Sequence, residues 1–538
     1  MIETSKPFAL ISVSQKNGLL DFAAGLQNLG FNFISTGGTA RFLEENGFKV
    51  TQVSDLTGFA EILDGRVKSL HPLIHGSLLY RRDSAEHCSQ AEKYKLIDIK
   101  VLAVNLYPFE SEAEQKKLKM AAALEFIDIG GPAMLRAAAK NHPSVFSVCD
   151  PEDYSRVLAE LNSNKPSTQL TAHLAVKVFR HTAAYDALVS RYLDSLLNSE
   201  NKKIRPIEGN SSQEFELPES LPASLTKLTN LRYGENPHQQ AALYKFANGP
   251  LATEELFTPI FIGKELSFNN YLDLDAAWQL VRDLLPLAAL AIIKHTNPCG
   301  VATADSNENK SAELFSRAYA ADPKSAFGGI VACSTTIDED CAKLISQGFY
   351  ECVVAPEYTL KALTLLRSKK NLRILRANKD AQKSAFQMRQ LASGVLLQSQ
   401  DSIQSQADTW QCVTKTTASP SALLDLELAF RIVKHLKSNA IALVKNQQSI
   451  GLGCGQVSRI DALLGAIGKA KEFGFDLKDA ALASDAFFPF ADCVEIAATH
   501  QITSIVQPGG SLKDKDSIHA ADKTGIAMYF TGSRHFRH

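Results

Sequence analysis

The chain has 538 residues, too long for one ordinary domain, and at roughly 100–200 residues per domain two to four are expected. It is 45% hydrophobic and 21% charged, a globular composition that excludes a disordered or fibrous chain. Lys plus Arg is 57 and Asp plus Glu is 58, a net charge of −1. That argues against nucleic acid or an anionic membrane as a partner, and leaves room for small phosphorylated ligands held by a local cluster of donors. No apolar run approaches the ~20 residues of a membrane helix. The best candidate, 284–293, has ten residues and contains Pro286. The apolar run 8–13 reads as a strand, with no small-residue cleavage pattern after it. Nine scattered cysteines, odd in number and without a C-x-x-C pair, point to a reduced cytoplasmic protein with mostly buried thiols.

Residues 1–198 alternate strand and helix patterns. A strand is expected over 8–14, a helix over 18–29 with Leu19, Ala23, Leu26 and Leu29 at helical spacing, a strand over 31–35, a helix over 39–46 and a strand over 50–53. Core strands follow over 101–106 and 145–149, and a long helical pattern over 172–197. This alternation predicts a parallel sheet with helices on both faces. The stretch 199–224, with Pro206, Pro218, Pro222 and Gly209-Asn210-Ser211-Ser212, reads as a linker. The remainder, 225–538, is again α/β, with strands expected over 289–294, 330–334, 352–355, 440–445, 504–507 and 525–530. More than 300 residues is large for one core, so a split into two subdomains is expected near 365–425, where periodicity is weak. No tandem repeat is visible.

Several segments of the first domain carry chemistry. Ser35-Thr36-Gly37-Gly38-Thr39 lies between a strand and a helix, where glycines admit a close ligand and a helix start offers N–H groups to an anion. The same residues also suit a plain strand-to-helix turn capped by Thr39. Arg66, Lys68 and Ser69 place two cations and a hydroxyl within four residues, although a solvated basic loop would look alike. Asn105-Leu106-Tyr107 ends a buried strand, where open α/β sheets bind ligands. Asp128-Ile129-Gly130-Gly131 supplies a carboxylate before a flexible turn, and Lys140 ends a small-residue helix. Together these describe a pocket with phosphate donors, a lysine, a tyrosine and an aspartate.

In the second domain, Arg232 suits a bidentate phosphate contact and Tyr233 suits stacking on a heterocycle. Lys294-His295-Thr296-Asn297-Pro298-Cys299-Gly300 follows the apolar run 287–293, so Lys294 and His295 project from a strand end into an Asn-Pro turn, where a general base would sit. Pro298-Cys299 resembles half of a zinc-deaminase signature, but Ala302 replaces its second cysteine and no H-x-E precedes it. The glycines 451–455 are not followed by the Lys-Ser/Thr of a phosphate loop. No metal site is expected.

Taken in order, Gly-Arg-Val-Lys-Ser-Leu-His-Pro (65–72), Asp-Ile-Gly-Gly (128–131), Ala-Ala-Ala-Lys-Asn-His (137–142), Leu-Arg-Tyr-Gly-Glu-Asn-Pro-His-Gln (231–239), Lys-His-Thr-Asn-Pro-Cys-Gly (294–300) and Ser-Asp-Ala-Phe-Phe-Pro-Phe (484–490) closely resemble a bifunctional purine-biosynthesis family. Its members join 5-aminoimidazole-4-carboxamide ribonucleotide (AICAR) formyltransferase to inosine monophosphate (IMP) cyclohydrolase. The resemblance implies a methylglyoxal-synthase-like parallel-sheet domain followed by a pair of cytidine-deaminase-like α/β subdomains without zinc. It implies formyl transfer from 10-formyltetrahydrofolate to AICAR, then dehydrative closure of formyl-AICAR to IMP, in a cytoplasmic homodimer. Ser14, Lys16, Ser35, Thr36, Gly37, Gly38, Thr39, Arg66 and Ser69 would hold the cyclohydrolase nucleotide, with Lys68, Tyr107, Asp128 and Lys140 carrying ring closure. Arg232, Tyr233, Gly328, Glu351, Phe487, Arg534 and His538 would bind AICAR. Lys294, His295 and Asn439 would carry formyl transfer, and Arg459, Ile460, Asp492, Ser511 and Leu512 would face the folate. Gln15 stands where the family usually has an acidic residue, and Glu351 where it can have aspartate.

Overall fold

The computed structural model describes residues 6–60, 62–63, 67–163, 168–201, 225–246, 255–305, 310–381, 384, 386–403 and 406–538. Arg66 and the expected linker from 202 to 224 lie outside the described residues; 199–201 end the helix Thr168–Asn201. The chain divides into two compact units, Met1–Leu225 with Phe246–Gly249, and Thr226–Lys245 with Pro250–His538.

Unit 1 holds β1 (Phe8–Val13), β2 (Asn32–Ser35), β3 (Val50–Gln52), β4 (Ile99–Asn105) and β5 (Phe146–Val148), all parallel, in the order β3-β2-β1-β4-β5. The apolar run of β1 has no polar face because both of its faces are covered. Phe8 and Leu10 enter one core cluster, while Ala9, Ile11 and Val13 enter the other. The chain winds outward from β1 to β3, then returns to β1's other side with β4. That switch opens a crevice at the carboxyl ends of β1 and β4.

Unit 2 carries a sheet of twelve strands. Two small hairpins stand apart from it: β6 (Leu225–Leu231) with β7 (Ala241–Phe246), and β14 (Phe386–Leu391) with β15 (Gly394–Ser399). The sheet is one unit built twice. The first half runs β8 (Phe257–Ile262), helix Phe268–Asp283, a hairpin of β9 (Ala288–Lys294) and β10 (Asn297–Ala304), then β11 (Ile330–Cys333), β12 (Cys352–Ala355) and β13 (Arg373–Ala377). The second half repeats this order as β16 (Gln411–Cys412), helix Pro420–Val433, a hairpin of β17 (Ile441–Lys445) and β18 (Gln448–Gly453), then β19 (Ala481–Ser484), β20 (Ser504–Gln507) and β21 (Ala527–Phe530). The halves meet where β10 pairs antiparallel with β18, so the sheet passes from one to the other without a break. This duplication is not visible as a tandem repeat in the sequence. The repeat lies in topology, with too few matching residues to be read as a sequence period.

One face of the sheet is covered by the helices Phe268–Asp283 and Pro420–Val433 in a single core that spans both halves. The other face has a separate core for each half. Matching glycines let a helix lie close on each hairpin. A β-carbon at Gly300 would stand 1.9 Å from the carbonyl oxygen of Ala318, and one at Gly451 would stand 2.2 Å from that of Ala466. Among the described residues, no helix is long and apolar enough to cross a membrane.

Candidate active sites

In unit 1 the loop after β1 is pinned to the end of β4. Ser14 Oγ donates to Asn105 Oδ1 (2.9 Å) and to the Leu106 carbonyl (3.0 Å), and Asn105 Nδ2 donates to the Gln15 carbonyl (3.2 Å). Position 15 thus enters through its backbone. Two of the predicted phosphate hydroxyls are committed inside the fold: Ser35 Oγ donates to the Ile11 carbonyl (2.6 Å), and Thr39 Oγ1 to the Val13 carbonyl (2.9 Å). Thr36 Oγ1 lies 3.2 Å from Ser12 Oγ. Lys16 Nζ donates to Thr39 Oγ1 (2.9 Å) and the Val13 carbonyl, and burial lowers its proton affinity below the ordinary lysine value. What remains for an anion is the backbone start of the helix Gly37–Glu45, with Lys68 above it. A β-carbon at Gly37 would stand 3.1 Å from Lys68 Nζ, so this residue, at φ 48°, leaves the space the ammonium uses.

A second helix start closes the crevice. The helix Gly130–Lys140 begins beside Ser69, whose Oγ would lie 2.6 Å from a β-carbon at Gly130. Asp128 Oδ1 accepts from Gly131 N (2.8 Å), and the carboxylate also takes a backbone hydrogen bond from Tyr107. Burial raises the Asp128 pKa against these two bonds. Tyr107 is exposed at 59%, open to a ligand. Lys68, Ser69, Tyr107 and Asp128 therefore gather around two helix N-termini. The backbone of Lys140, the last residue of the helix that Gly130 begins, lies about 15 Å along that helix at 1.5 Å per residue.

In unit 2 the Lys294-His295-Thr296-Asn297 segment is the tight turn between β9 and β10, so the Asn-Pro pair belongs to the returning strand rather than to a turn as expected. His295 and Thr296 have φ of 52° and 62°. Hairpin turns of this kind favour Asn and Gly, and side chains such as these are disfavoured there by about 1–2 kcal/mol each. The carboxylate of Asp273, on the helix Phe268–Asp283, accepts from both turn amides: His295 N at 3.2 Å and Thr296 N at 2.6 Å. Lys294 Nζ donates to the Phe327 carbonyl (2.6 Å), beside Gly328 at φ 75°. Lys294, His295, Asp322, Ser325 and Lys469 line an open cleft of about 440 Å³.

Asn297 Oδ1 accepts from Lys437 N (3.3 Å), which ties this turn to Ser438-Asn439. Asn439 is held at both ends of its amide. Its Nδ2 donates to the Gln456 carbonyl (2.9 Å), and its Oδ1 accepts from Arg459 Nη2 (2.7 Å). Arg459 in turn pairs with the fully buried Asp485 and donates to Ser484 Oγ (2.8 Å). An Oδ1 already bound by a guanidinium fixes which end of the amide is the NH2 group, and leaves one of its hydrogens to offer.

The comparisons with known proteins settle the family. A family model described as AICARFT/IMPCHase bienzyme matches residues 138–469, and one described as MGS-like domain matches 18–133. A protein of Aquifex aeolicus named bifunctional purine biosynthesis protein PurH is 45% identical over 530 residues, covering 98% of this chain and 100% of its own. A protein of the same name from Bacillus thuringiensis is 45% identical over 535 residues, covering 99% of this chain and 100% of its own. A third, from Polynucleobacter necessarius, is 43% identical over 539 residues, covering 98% and 99%. The chain belongs to the AICARFT/IMPCHase bienzyme family. It is a bifunctional AICAR formyltransferase and IMP cyclohydrolase, serving the last two steps of purine biosynthesis.

In this bienzyme the other predicted residues are placed as follows. Arg232 stacks its guanidinium 5.0 Å over the Tyr233 ring, near the end of β6. Glu351 is paired with Arg373, which is buried at 1% exposure. Phe488 is core, whereas Phe487 and Phe490 are exposed. The tail is docked: His535 N donates to the Asp485 carbonyl (3.0 Å) and Arg537 N to Ser438 Oγ (3.2 Å), while Arg534 and His538 flank Phe536. Arg459 is buried in its ion pair rather than facing outward; Leu512 is fully exposed, and Ile460, Asp492 and Ser511 are partly so. Sequence reasoning missed Asp273, and it singled out the segments of Asn105 and Asp485 without giving either residue a role. Asp273 is an acidic residue in a buried helix, a signal that means little until its partner turn is known. Among the described residues, no group of three or more His, Cys, Asp or Glu could hold a metal ion.

Proposed function

We propose that the two steps are carried by different residues in the two units. Formyl transfer uses Lys294, His295 and Asn439, and ring closure uses Lys68, Tyr107 and Asp128. The observation that carries this reading is the placement of His295 on a turn whose backbone is fixed by Asp273, beside Lys294 and tied through Asn297 to the Asn439 segment. The AICAR amine is conjugated with its ring and is a poor nucleophile. As it bonds to the formyl carbon of 10-formyltetrahydrofolate, its proton passes to an imidazole nitrogen of His295. The formyl oxygen becomes an oxyanion, met by the remaining Asn439 N–H and the Lys294 ammonium. Collapse breaks the bond to the folate N10, which takes the proton.

In closure the carboxamide nitrogen bonds to the formyl carbon and gives one proton to the formyl oxygen. That hydroxyl then leaves with the formamide N–H proton as water. Lys68 and the two helix starts hold negative charge, while Tyr107 and Asp128 handle protons. The raised proton affinity of Asp128 suits a group that both takes and gives one. We assign no step to Lys140.

AICAR would be held by Arg232, Tyr233, Gly328, Glu351, Phe487, Arg534 and His538, with the folate over Ile460, Asp492, Ser511 and Leu512, and Arg459 acting through Asn439. A homodimer is supported by apolar residues exposed on the two free hairpins, among them Leu228, Tyr244, Val395 and Leu396. Two-stranded hairpins are marginal alone. All nine cysteines are free, which supports a cytoplasmic setting. Incubating the protein with AICAR and 10-formyltetrahydrofolate should yield IMP, and light scattering should give twice the chain mass. Accumulated formyl-AICAR without IMP would overturn the closure assignment.

A further inference from the structure

The two halves of unit 2 each carry the same corner, and only one of them holds a histidine. In the first half, Asp273 is the sixth residue of the helix Phe268–Asp283 and accepts from the amides of His295 and Thr296. In the second, Asp425 is the sixth residue of the helix Pro420–Val433 and accepts from Asn446 N (2.8 Å) and Gln447 N (2.6 Å). These turn residues also have positive φ, 53° and 57°. A lysine precedes each turn, Lys294 bonded to the Phe327 carbonyl and Lys445 to the Asp476 carbonyl. The second corner is closed on itself. Gln447 Nε2 donates back to Asp425 Oδ1 (3.0 Å), Thr303 Oγ1 donates to Gln447 Oε1 (3.0 Å), and Arg317 caps the Asn446 carbonyl. In the first corner, among the described residues, neither turn side chain returns to the clamp: His295 is exposed, and the half-buried Thr296 donates through Oγ1 to the His295 carbonyl, which Asn297 Nδ2 also caps (3.0 Å).

We infer that Asp273 is a positioning residue for formyl transfer: its carboxylate holds the His295-Thr296 turn in the left-handed conformation that aims the imidazole, while its counterpart Asp425 does the same for a turn with no part in the reaction. This rests on the assignment of His295 as the base. The turn sequence explains why the carboxylate is needed. Asn446 and His295 are types that tolerate positive φ, whereas the β-branched Thr296 beside the imidazole does not. Loss of one acceptor frees the turn to relax and moves the imidazole off its line. A displacement of about 1 Å at a reacting group can lower a rate by about 10²-fold. Both corners need their carboxylate for packing, but only one needs it for chemistry.

Three single variants and two pairings test this. Asp273→Asn keeps the shape but turns an NH2 group toward one of the two amides. It should lower formyl-transfer kcat by about 10–100-fold with AICAR KM changed less than about threefold, since the imidazole is displaced and the nucleotide contacts are not. Asp425→Asn should lower the Tm of unit 2 to a similar degree, read by tryptophan fluorescence, and leave formyl-transfer kcat unchanged. Adding Thr296→Gly to Asp273→Asn should recover most of the lost kcat, because glycine adopts positive φ without a clamp. In a His295→Ala background, Asp273→Asn should have no further effect on rate. If Asp273→Asn fails to fold, the Thr296→Gly pairing carries the test, because glycine should restore both folding and rate. Equal rate losses in Asp273→Asn and Asp425→Asn, or a pairing that restores Tm without kcat, would overturn the inference. Full formyl transfer in His295→Ala would instead overturn the assignment it rests on.

Discussion

In the crevice of unit 1 the hydroxyls of Ser35 and Thr39 serve the sheet, and under the proposed reading a ligand would meet backbone N–H groups, Lys68, Tyr107 and Asp128. In unit 2 the residues proposed to react are held from behind: the His295 backbone by the half-buried Asp273, and the Asn439 amide by the buried Arg459–Asp485 pair. The contrast follows the chemistry. Ring closure expels water and asks chiefly for stabilised charge at an oxygen, which helix starts and an ammonium supply with little rearrangement. Formyl transfer to a weak amine asks for a base at a defined place, and under the proposed assignment a turn at positive φ with a carboxylate beneath it would meet that need. Unit 1's activity should therefore respond to residues that touch substrate, and unit 2's also to residues well behind them.

The largest effect expected from this contrast is at His295. His295→Ala should lower formyl transfer by about 10²–10⁴-fold and leave closure of supplied formyl-AICAR near wild type. Lys68→Met should do the converse, lowering closure by about 10²–10³-fold with formyl transfer retained. Loss of both activities in either folded variant would erase the contrast. Asp485→Asn reaches unit 2 from behind. It strips the buried Arg459 of its partner and should destabilise the unit by about 3–5 kcal/mol, in urea unfolding, with formyl transfer impaired even where the protein is folded. Unchanged kinetics would show that Asn439 needs no such support.

The smallest effect concerns pH. Burial lowers the proton affinity of His435, and hydrogen bonding to Asp283 at 3.0 Å only partly offsets this. The unfolded imidazole binds a proton near pH 6.5 and the folded one only at lower pH. Below about 6.5 the unfolded chain therefore holds more protons, so stability is present above that pH and lost as pH falls, by at most ~1.4 kcal/mol per unit. The chain's two tryptophans, Trp278 and Trp410, both lie in unit 2, so fluorescence-monitored unfolding reads this unit alone. His435→Gln should flatten the decline in Tm between pH 7 and 5.5.

Much of the fold was legible because both faces of each sheet are buried. The strands expected over 352–355 and 504–507 match β12 and β20 to the residue, and each is an uninterrupted buried run. The return strands β10 and β18 were not seen. Asn297-Pro298-Cys299-Gly300 and Gly451-Leu452-Gly453 read as loops, yet their glycines exist because helix backbones lie against them. The duplication left only sparse marks in sequence, such as Asp273 with Asp425, Lys294 with Lys445 and Gly300 with Gly451. Motif residues were visible as types, but not their commitments. Nothing in the sequence shows that Ser35 and Thr39 bond inward, that Arg459 faces Asp485, or that a helix length separates Lys140 from Asp128.

Mixing two variants tests the separation of the two chemistries most directly. Neither His295→Ala nor Lys68→Met should convert AICAR and 10-formyltetrahydrofolate to IMP at more than a small fraction of the wild-type rate, and Lys68→Met should accumulate formyl-AICAR. Combined, they should restore IMP formation, because each supplies the step the other lacks. A mixture in which formyl-AICAR accumulates and no IMP appears would contradict the account, since closure would then depend on His295.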